Sequence, residues 1–197
     1  MKSIIVSGNK HYGLGKSLYK KFPDASFFSR SNGDYDFMKN ECMEKFAKAS
    51  LDYDVYISCS YLPYFQQTLL LGKVWKYWNE AKKRDQMIVL GSTADWSTKM
   101  WFYPTEKKAL KDFCRRYGGA ASGGGPQLYP GNGIRITYVA PGMLDLPRQH
   151  EKHGHDLAKL DTDYLCGVIE WLIQQPRNVN IYDISMDPVQ HEVSKPK

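Results

Sequence analysis

The sequence predicts an α/β protein, a doubly wound parallel sheet of about seven strands with helices on both faces. Three observations carry that expectation. Short apolar runs of β character alternate along the chain with amphipathic stretches of helical period. The first run breaks into a glycine-rich turn that leads into the first helix. The residues closing the successive runs, Gly8, Ser29, Ser58, Ser92 and Pro141, would then lie together at the carboxyl edge of the sheet, where such folds collect ligands.

Residues 3–7, Ser-Ile-Ile-Val-Ser, read as the first strand, and residues 16–22 as an amphipathic helix. Between them lies Gly8-Asn-Lys-His-Tyr-Gly-Leu-Gly15. Gly8 suits a tight turn, Gly13 lets backbone N–H groups approach a pyrophosphate, and Gly15 allows the helix to pack closely on the strand. An ordinary strand-to-helix turn fits the same glycines. Residues 25–29 form a second strand about 20 residues after the first glycine, where a dinucleotide fold inspects the adenosine ribose. The chain has Ser29-Arg30-Ser31 there. A carboxylate would bind the ribose diol of NAD, whereas an arginine with two hydroxyls suits the extra phosphate of NADP. NADP(H) is therefore the preferred cofactor, with NAD(H) possible.

Residues 34–37 suggest a short third strand, and 40–50 an exposed helix with Met43, Phe46 and Ala47 inward. Residues 54–58 form the next strand, ending in Cys59-Ser60-Tyr61. A helix over 69–83 places Leu70, Val74, Tyr77, Trp78 and Ala81 at helical spacing, as core or subunit contact. Residues 87–91 are a further strand that ends at Ser92.

The chemistry concentrates beyond that strand. Tyr103 stands at the start of a helix-forming segment with Pro104 in its first turn, and Lys107 follows one helical turn later on the same face. A hydroxyl at a strand end, a phenol and an ammonium can converge on one oxygen and move a proton to or from it. A free tyrosine titrates near ~10, and a neighbouring ammonium would lower it by favouring the phenolate. None of the three carries a hydride, so a redox reaction needs a cofactor. Tyr-x-x-x-Lys also arises by chance on helices.

Residues 118–133 read as a flexible glycine-rich loop, 134–140 as a strand closed by Pro141-Gly142, and 143–159 as a short polar lid. The lid carries His150, His153 and His155 without a cysteine or a rigid frame, and no metal site is expected. A helix over 164–174 and a strand over 179–184 complete the pattern. At 197 residues and 42% hydrophobic content, the chain is one domain, residues 1–197. Four scattered cysteines without Cys-x-x-Cys, a start without a secretory pattern and no long apolar stretch imply a cytoplasmic protein off the membrane. The net charge of +6 suits phosphate ligands, but no basic block marks a nucleic-acid partner.

The order of these motifs resembles the short-chain dehydrogenase/reductase family from Lys2 to about Pro188. The glycine turn at Gly8, Gly13 and Gly15, the serine of Val-Leu-Gly-Ser92, the Tyr103-x-x-x-Lys107 pair and the Pro141-Gly142 turn carry the resemblance. It implies a Rossmann-type fold in which Tyr103 is the general acid/base, Ser92 orients a carbonyl or alcohol, and Lys107 binds the nicotinamide ribose and lowers the tyrosine pKa. It further implies that Gly8, Lys10, Gly13, Leu14 and Gly15 line the pyrophosphate. Ser29 and Arg30 would meet the adenosine ribose, Asp36 and Phe37 the adenine, and Cys59 and Ser60 the middle of the cofactor. Ser58-Cys-Ser-Tyr61 stands where the family has Asn-Asn-Ala-Gly, and the family's relay asparagine aligns to about Leu69, by way of Gly72. The expected function is NAD(P)-dependent interconversion of a carbonyl and an alcohol on a small molecule, by a homodimer or homotetramer. The alternative is a dinucleotide-binding sensor or scaffold with little or no catalysis.

Overall fold

The computed structural model describes residues 2–33, 35–98, 101–120, 133–153 and 157–189. Six apolar runs form strands: β1 (Ile4–Ser7), β2 (Ser26–Phe28), β3 (Val55–Ser58), β4 (Gln86–Leu90), β5 (Arg135–Pro141) and β6 (Asp183–Met186). They pair in parallel in the order β2-β1-β3-β4-β5-β6. The register sets Ile5 beside Ser26 and Tyr56, and Met87 beside Ile136. The central strands read as unbroken apolar runs because both faces of the sheet are covered.

Among the described residues six α-helices connect them: α1 (Gly13–Lys21), α2 (Asn40–Ala49), α3 (Gln66–Glu80), α4 (Phe102–Gly119), α5 (Pro147–His153) and α6 (Thr162–Gln174). Successive strand residues point to opposite faces, and the core divides accordingly. On one face Ile5, Tyr56, Met87, Val89, Ile136 and Tyr138 pack against α2, α3 and α4. On the other, Ile4, Val6, Ile57, Ile88 and Val139 pack against α1 and α6. Trp78 of α3 is fully buried and donates its indole N–H to Ser50 Oγ at 2.9 Å, so the largest core side chain is also hydrogen-bonded. From β1 the chain goes to β2 on one side and then to β3 on the other. That reversal opens a crevice at the carboxyl ends of β1 and β3.

Several element boundaries differ from the sequence reading. Among the described residues the sheet has six strands rather than about seven. Asp36 and Phe37 lie in a turn, Asp34 is outside the described residues, and the Phe37 ring is buried edge-on against Phe46 beside Phe28 and Tyr35. That aromatic cluster packs beside β2, where a further strand would otherwise pair. Helix α3 begins at Gln66, three residues before the expected start, and the last strand begins at Asp183. Helix α4 runs on through the first two glycines of the expected loop, because Gly118 lies against β5: a Cβ there would be 3.1 Å from the Ile136 carbonyl oxygen. Residues 121–132, which hold most of that loop, are outside the described residues. The lid contains α5 and a parallel bridge between Leu144 and Leu160, while His155 is outside the described residues.

Candidate active site

In the glycine turn after β1, Gly13 takes a conformation that favours glycine, while Gly15 is packed on the turn at Asn9 and not on the strand. Gly13 opens α1 at φ +56°, a left-handed conformation that favours glycine. Gly15 lies against the turn itself, since a Cβ there would sit 2.1 Å from the Asn9 carbonyl oxygen. Tyr12, the residue before α1, offers no side-chain cap, and the first turn of the helix has no acidic residue. The free N–H groups at the positive end of α1 therefore face the crevice without a competing anion, and the turn fits a dinucleotide's pyrophosphate.

Next to it, Ser29 follows β2 and accepts the Asn32 N–H on its Oγ at 3.2 Å. Asn32 also donates through Nδ2 to the Gly8 carbonyl oxygen at 3.1 Å, tying the two loops together. Its Oδ1 is buried with no partner among the described residues. Arg30 is exposed at the crevice and makes no ion pair among the described residues, leaving its guanidinium available to a phosphate.

The third part of the site lies at the ends of β3 and β4 and at the start of α4. Tyr103, in the first turn of α4, carries its phenol to the Ser92 hydroxyl, with which it is hydrogen-bonded. Ser92 Oγ also accepts the Ala94 N–H at 3.1 Å, as the cap of the 3-10 turn Thr93–Trp96. With a lone pair so used, the Ser92 proton is left to donate outward. Lys107 is only 4% exposed and donates to Gln67 Oε1 at 2.8 Å and towards the Leu90 carbonyl oxygen at 3.4 Å. Burial pulls this ammonium from 10.5 down to about 8, against the opposing pull of Glu106. The expected lowering of the tyrosine does not occur. Burial pushes the Tyr103 phenol above its ordinary value, the Ser92 hydrogen bond opposes the rise, and Glu106 adds to it. Lys107 stands by the Tyr103 ring, with Nζ 5.6 Å from its centroid, and burial is the largest influence on the phenol.

The residue of α3 that meets Lys107 is Gln67 and not Leu69. Leu69 is half exposed, whereas Gln67, one of α3's buried residues, bonds Lys107 directly. Its Nε2 donates to the Leu90 carbonyl oxygen at 3.0 Å and to Ser58 Oγ at 3.2 Å, so its amide is satisfied at both ends. Behind the site, Tyr138 of β5 accepts the Ser92 N–H at 3.2 Å, and its proton reaches towards the Lys107 carbonyl oxygen at 3.4 Å. Gly91 makes room for it, since a Cβ at that position would lie 2.0 Å from the Tyr138 ring. The buried pair Lys111–Asp95, at 2.9 Å, flanks the same ring.

One cleft of about 680 Å³ gathers most of these groups. Gly8, Gly13, Leu14 and Gly15 line one end, and Ser29, Arg30 and Asp36 line the ribose side. Phe37 is part of the wall but its ring is committed to the core. Cys59 and Ser60 line the middle, Tyr103 and Lys107 the far end. Ser60 is held by its Oγ on the Ser7 carbonyl oxygen at 3.0 Å, and burial pushes the Cys59 thiol up to about 12, which keeps it neutral. Two expected residues are not in the lining. Lys10 turns back along α1, its ammonium 5.5 Å from the Tyr19 ring centroid, and Ser92 reaches the site only through its bond to Tyr103. Tyr12, Tyr35, Tyr61 and Met38 line the cleft although the sequence reading did not place them there. Among the described residues no group of His, Cys, Asp and Glu could hold a metal ion, and no helix is long and apolar enough to cross a membrane.

The chain superposes on solved dehydrogenases over nearly its whole length. The alcohol dehydrogenase of the archaeon Thermococcus sibiricus, complexed with 5-hydroxy-NADP, matches with a TM-score of 0.68 at 14% identity, covering 99% of both chains. A short chain dehydrogenase from Leptospira borgpetersenii with bound NAD+ matches at 0.69 and 16% identity, covering 94% of this chain and 91% of that one. The chain has the short-chain dehydrogenase fold. A 4-hydroxyisoleucine dehydrogenase complexed with NADH shares that fold at a TM-score of 0.71 and 16% identity, covering 94% and 97% of the two chains. In sequence, an uncharacterized oxidoreductase of Staphylococcus saprophyticus is 32% identical over 57 residues, 29% of this chain and 24% of that protein. One from Staphylococcus haemolyticus is also 32% identical over 57 residues. The matched stretch thus spans about a quarter of the length of these relatives. No family model matches the chain.

Proposed function

We propose that this chain is an NAD(P)-dependent oxidoreductase of the short-chain dehydrogenase/reductase type, preferring NADP(H), that interconverts a carbonyl and an alcohol on a small molecule. The observation that carries the reading is the Lys107 ammonium, buried at the end of β4 beside Tyr103 and in the same cleft as the glycine turn. A lysine is held there at a cost in hydration that packing alone does not require. The dinucleotides named with the structural neighbours support the cofactor class, and Arg30 supports the preference for NADP.

The cofactor supplies the hydride. The glycine turn and the N-terminus of α1 bind its pyrophosphate, Ser29 and Arg30 its adenosine end, and Lys107 its inner ribose. Tyr103 gives its proton to the carbonyl oxygen in reduction and takes it back in oxidation, and Ser92 holds that oxygen against the phenol. A phenol raised by burial keeps its proton at neutral pH, which suits the reducing direction. The same rise favours a second reading, a dinucleotide sensor that turns over slowly or not at all. The cysteines Cys42, Cys59, Cys114 and Cys166 form no disulfide among the described residues, which supports placement in a reducing cytoplasm, and the chain would act as a homodimer or homotetramer.

Thermal unfolding with NADP, NADPH, NAD and NADH tests the cofactor. At a hundred times its dissociation constant, a ligand adds about 2.7 kcal/mol. That should raise Tm by roughly 5 to 10 °C for a chain of this size. A rise with none of the four overturns the proposal, and an equal rise with NAD(H) removes the role given to Arg30. Tyr103→Phe should keep the rise and lower turnover of an aldehyde or ketone by about 10² to 10⁴. Undiminished turnover in that variant refutes the mechanism, and no turnover by the wild type on a broad carbonyl panel favours the sensor.

A further inference from the structure

Tyr61 is half exposed and stands at the mouth of the site, yet both its hydroxyl and its ring have partners on α4. Its hydroxyl donates to Glu106 Oε2 at 3.3 Å, and the other oxygen of that buried carboxylate accepts the Phe65 N–H at 3.1 Å. The turn so held contains two successive non-glycine residues in the left-handed region, Tyr64 at φ +57° and Phe65 at φ +59°. Such a turn persists only when its surroundings hold it. The Tyr61 ring meets Tyr103 edge to face at 5.3 Å, and Lys107 Nζ is 5.6 Å from the centroids of both rings.

The ammonium is thus enclosed except where it lines the cleft. Gln67 Oε1 and the Leu90 carbonyl oxygen accept from it, and two aromatic rings flank it. We infer that Tyr61, anchored by Glu106, is a positioning residue that closes this cage, shielding Lys107 from water and fixing the Tyr103 ring. The inference rests on the reading of Tyr103 and Lys107 as the acid–base site and names the part of this chain that holds them together. The titratable groups facing Lys107 are Tyr61 and Cys59 from the segment after β3, and Tyr103, Glu106 and Cys114 from its own helix. Among these the cage closes through Tyr61, because Tyr61 bridges the loop and α4.

The test is an NMR titration of the full chain carrying 13C at lysine Cε, with the Lys107 signal assigned from Lys107→Arg. In the wild type Lys107 should titrate well below the exposed lysines. Tyr61→Ala opens the cage to water and should move the Lys107 midpoint up by about one unit, since hydration regained outweighs the lost ring contact. Tyr61→Phe keeps the ring, loses the anchor, and should move it the same way by less. Glu106→Gln, which can still bond both Tyr61 and Phe65, should not raise it. A residue serving only the fold would lower Tm in these variants and leave the midpoint in place. An unchanged or lowered midpoint in folded Tyr61→Ala or Tyr61→Phe overturns the inference, as does a wild-type Lys107 that titrates with the surface lysines. The readout needs neither dinucleotide nor substrate, so the cage can fail while the oxidoreductase reading stands, and the reverse.

Discussion

Replacing Lys107 with methionine should separate the energetic burden of the site from its chemistry. The ammonium falls from 10.5 to about 8 because burial penalises its charged form. A gap of about 2.5 units corresponds to roughly 3 kcal/mol at 1.36 kcal/mol per unit, an order-of-magnitude figure. Below pH 8 the lysine is charged in both folded and unfolded chains, and the folded state bears the whole penalty. Between pH 8 and 10.5 the folded protein has released the proton while the unfolded chain still holds it. The unfolded state then binds more protons, so stability rises with pH across that window and levels off above it. Relative to Lys107→Met, the wild type should gain about 2 to 3 kcal/mol between pH 7 and pH 10. At a urea dependence of about 2 kcal/mol/M, the difference in unfolding midpoint between the two proteins should change by on the order of 1 M. At pH 7 the variant also leaves Gln67 Oε1 without its donor, a loss of about 1 to 3 kcal/mol that offsets part or all of the relief. The change in the difference between the two proteins from pH 7 to pH 10 is the signature. A midpoint difference that stays constant from pH 7 to pH 10 refutes the reasoning, because Lys107 would then be as well hydrated folded as unfolded.

Gly15→Ala places a methyl group 2.1 Å from the Asn9 carbonyl oxygen, so the turn must open; the protein should stay folded by circular dichroism and lose the NADP(H)-induced rise in Tm. Gly91→Ala drives a Cβ into the Tyr138 ring, a fully buried neighbour on the adjacent strand. Overpacking of that kind costs about 1 to 3 kcal/mol. Urea unfolding should register that loss, and a joint Gly91→Ala, Tyr138→Leu variant should recover part of it.

The local pattern of the chain determined most of the scaffold. Continuous apolar runs and helical spacing placed the strands and helices, and the glycines after β1 marked a turn that only glycine can make at Gly13 and Gly15. Those signals are legible because they depend on backbone sterics and on which face a residue presents, both settled within a few positions. The pairing of Tyr103 with Lys107 was legible for the same reason, since one helical turn separates them. The tertiary structure decided what surrounds that pair. Helix α3 starts at Gln66, and Gln67 and Leu69 lie two residues apart, about 200° around the helix axis. A small error in helix phase therefore exchanged a buried amide on Lys107 for an exposed leucine. Tyr61 and Glu106 are 45 positions apart and carry no shared sequence pattern; only the packing of the loop after β3 on α4 joins them. The protonation of the site was equally out of reach. Whether the ammonium lowers the phenol or burial raises it depends on how much water each group keeps, and that is set by every element that closes over the cleft.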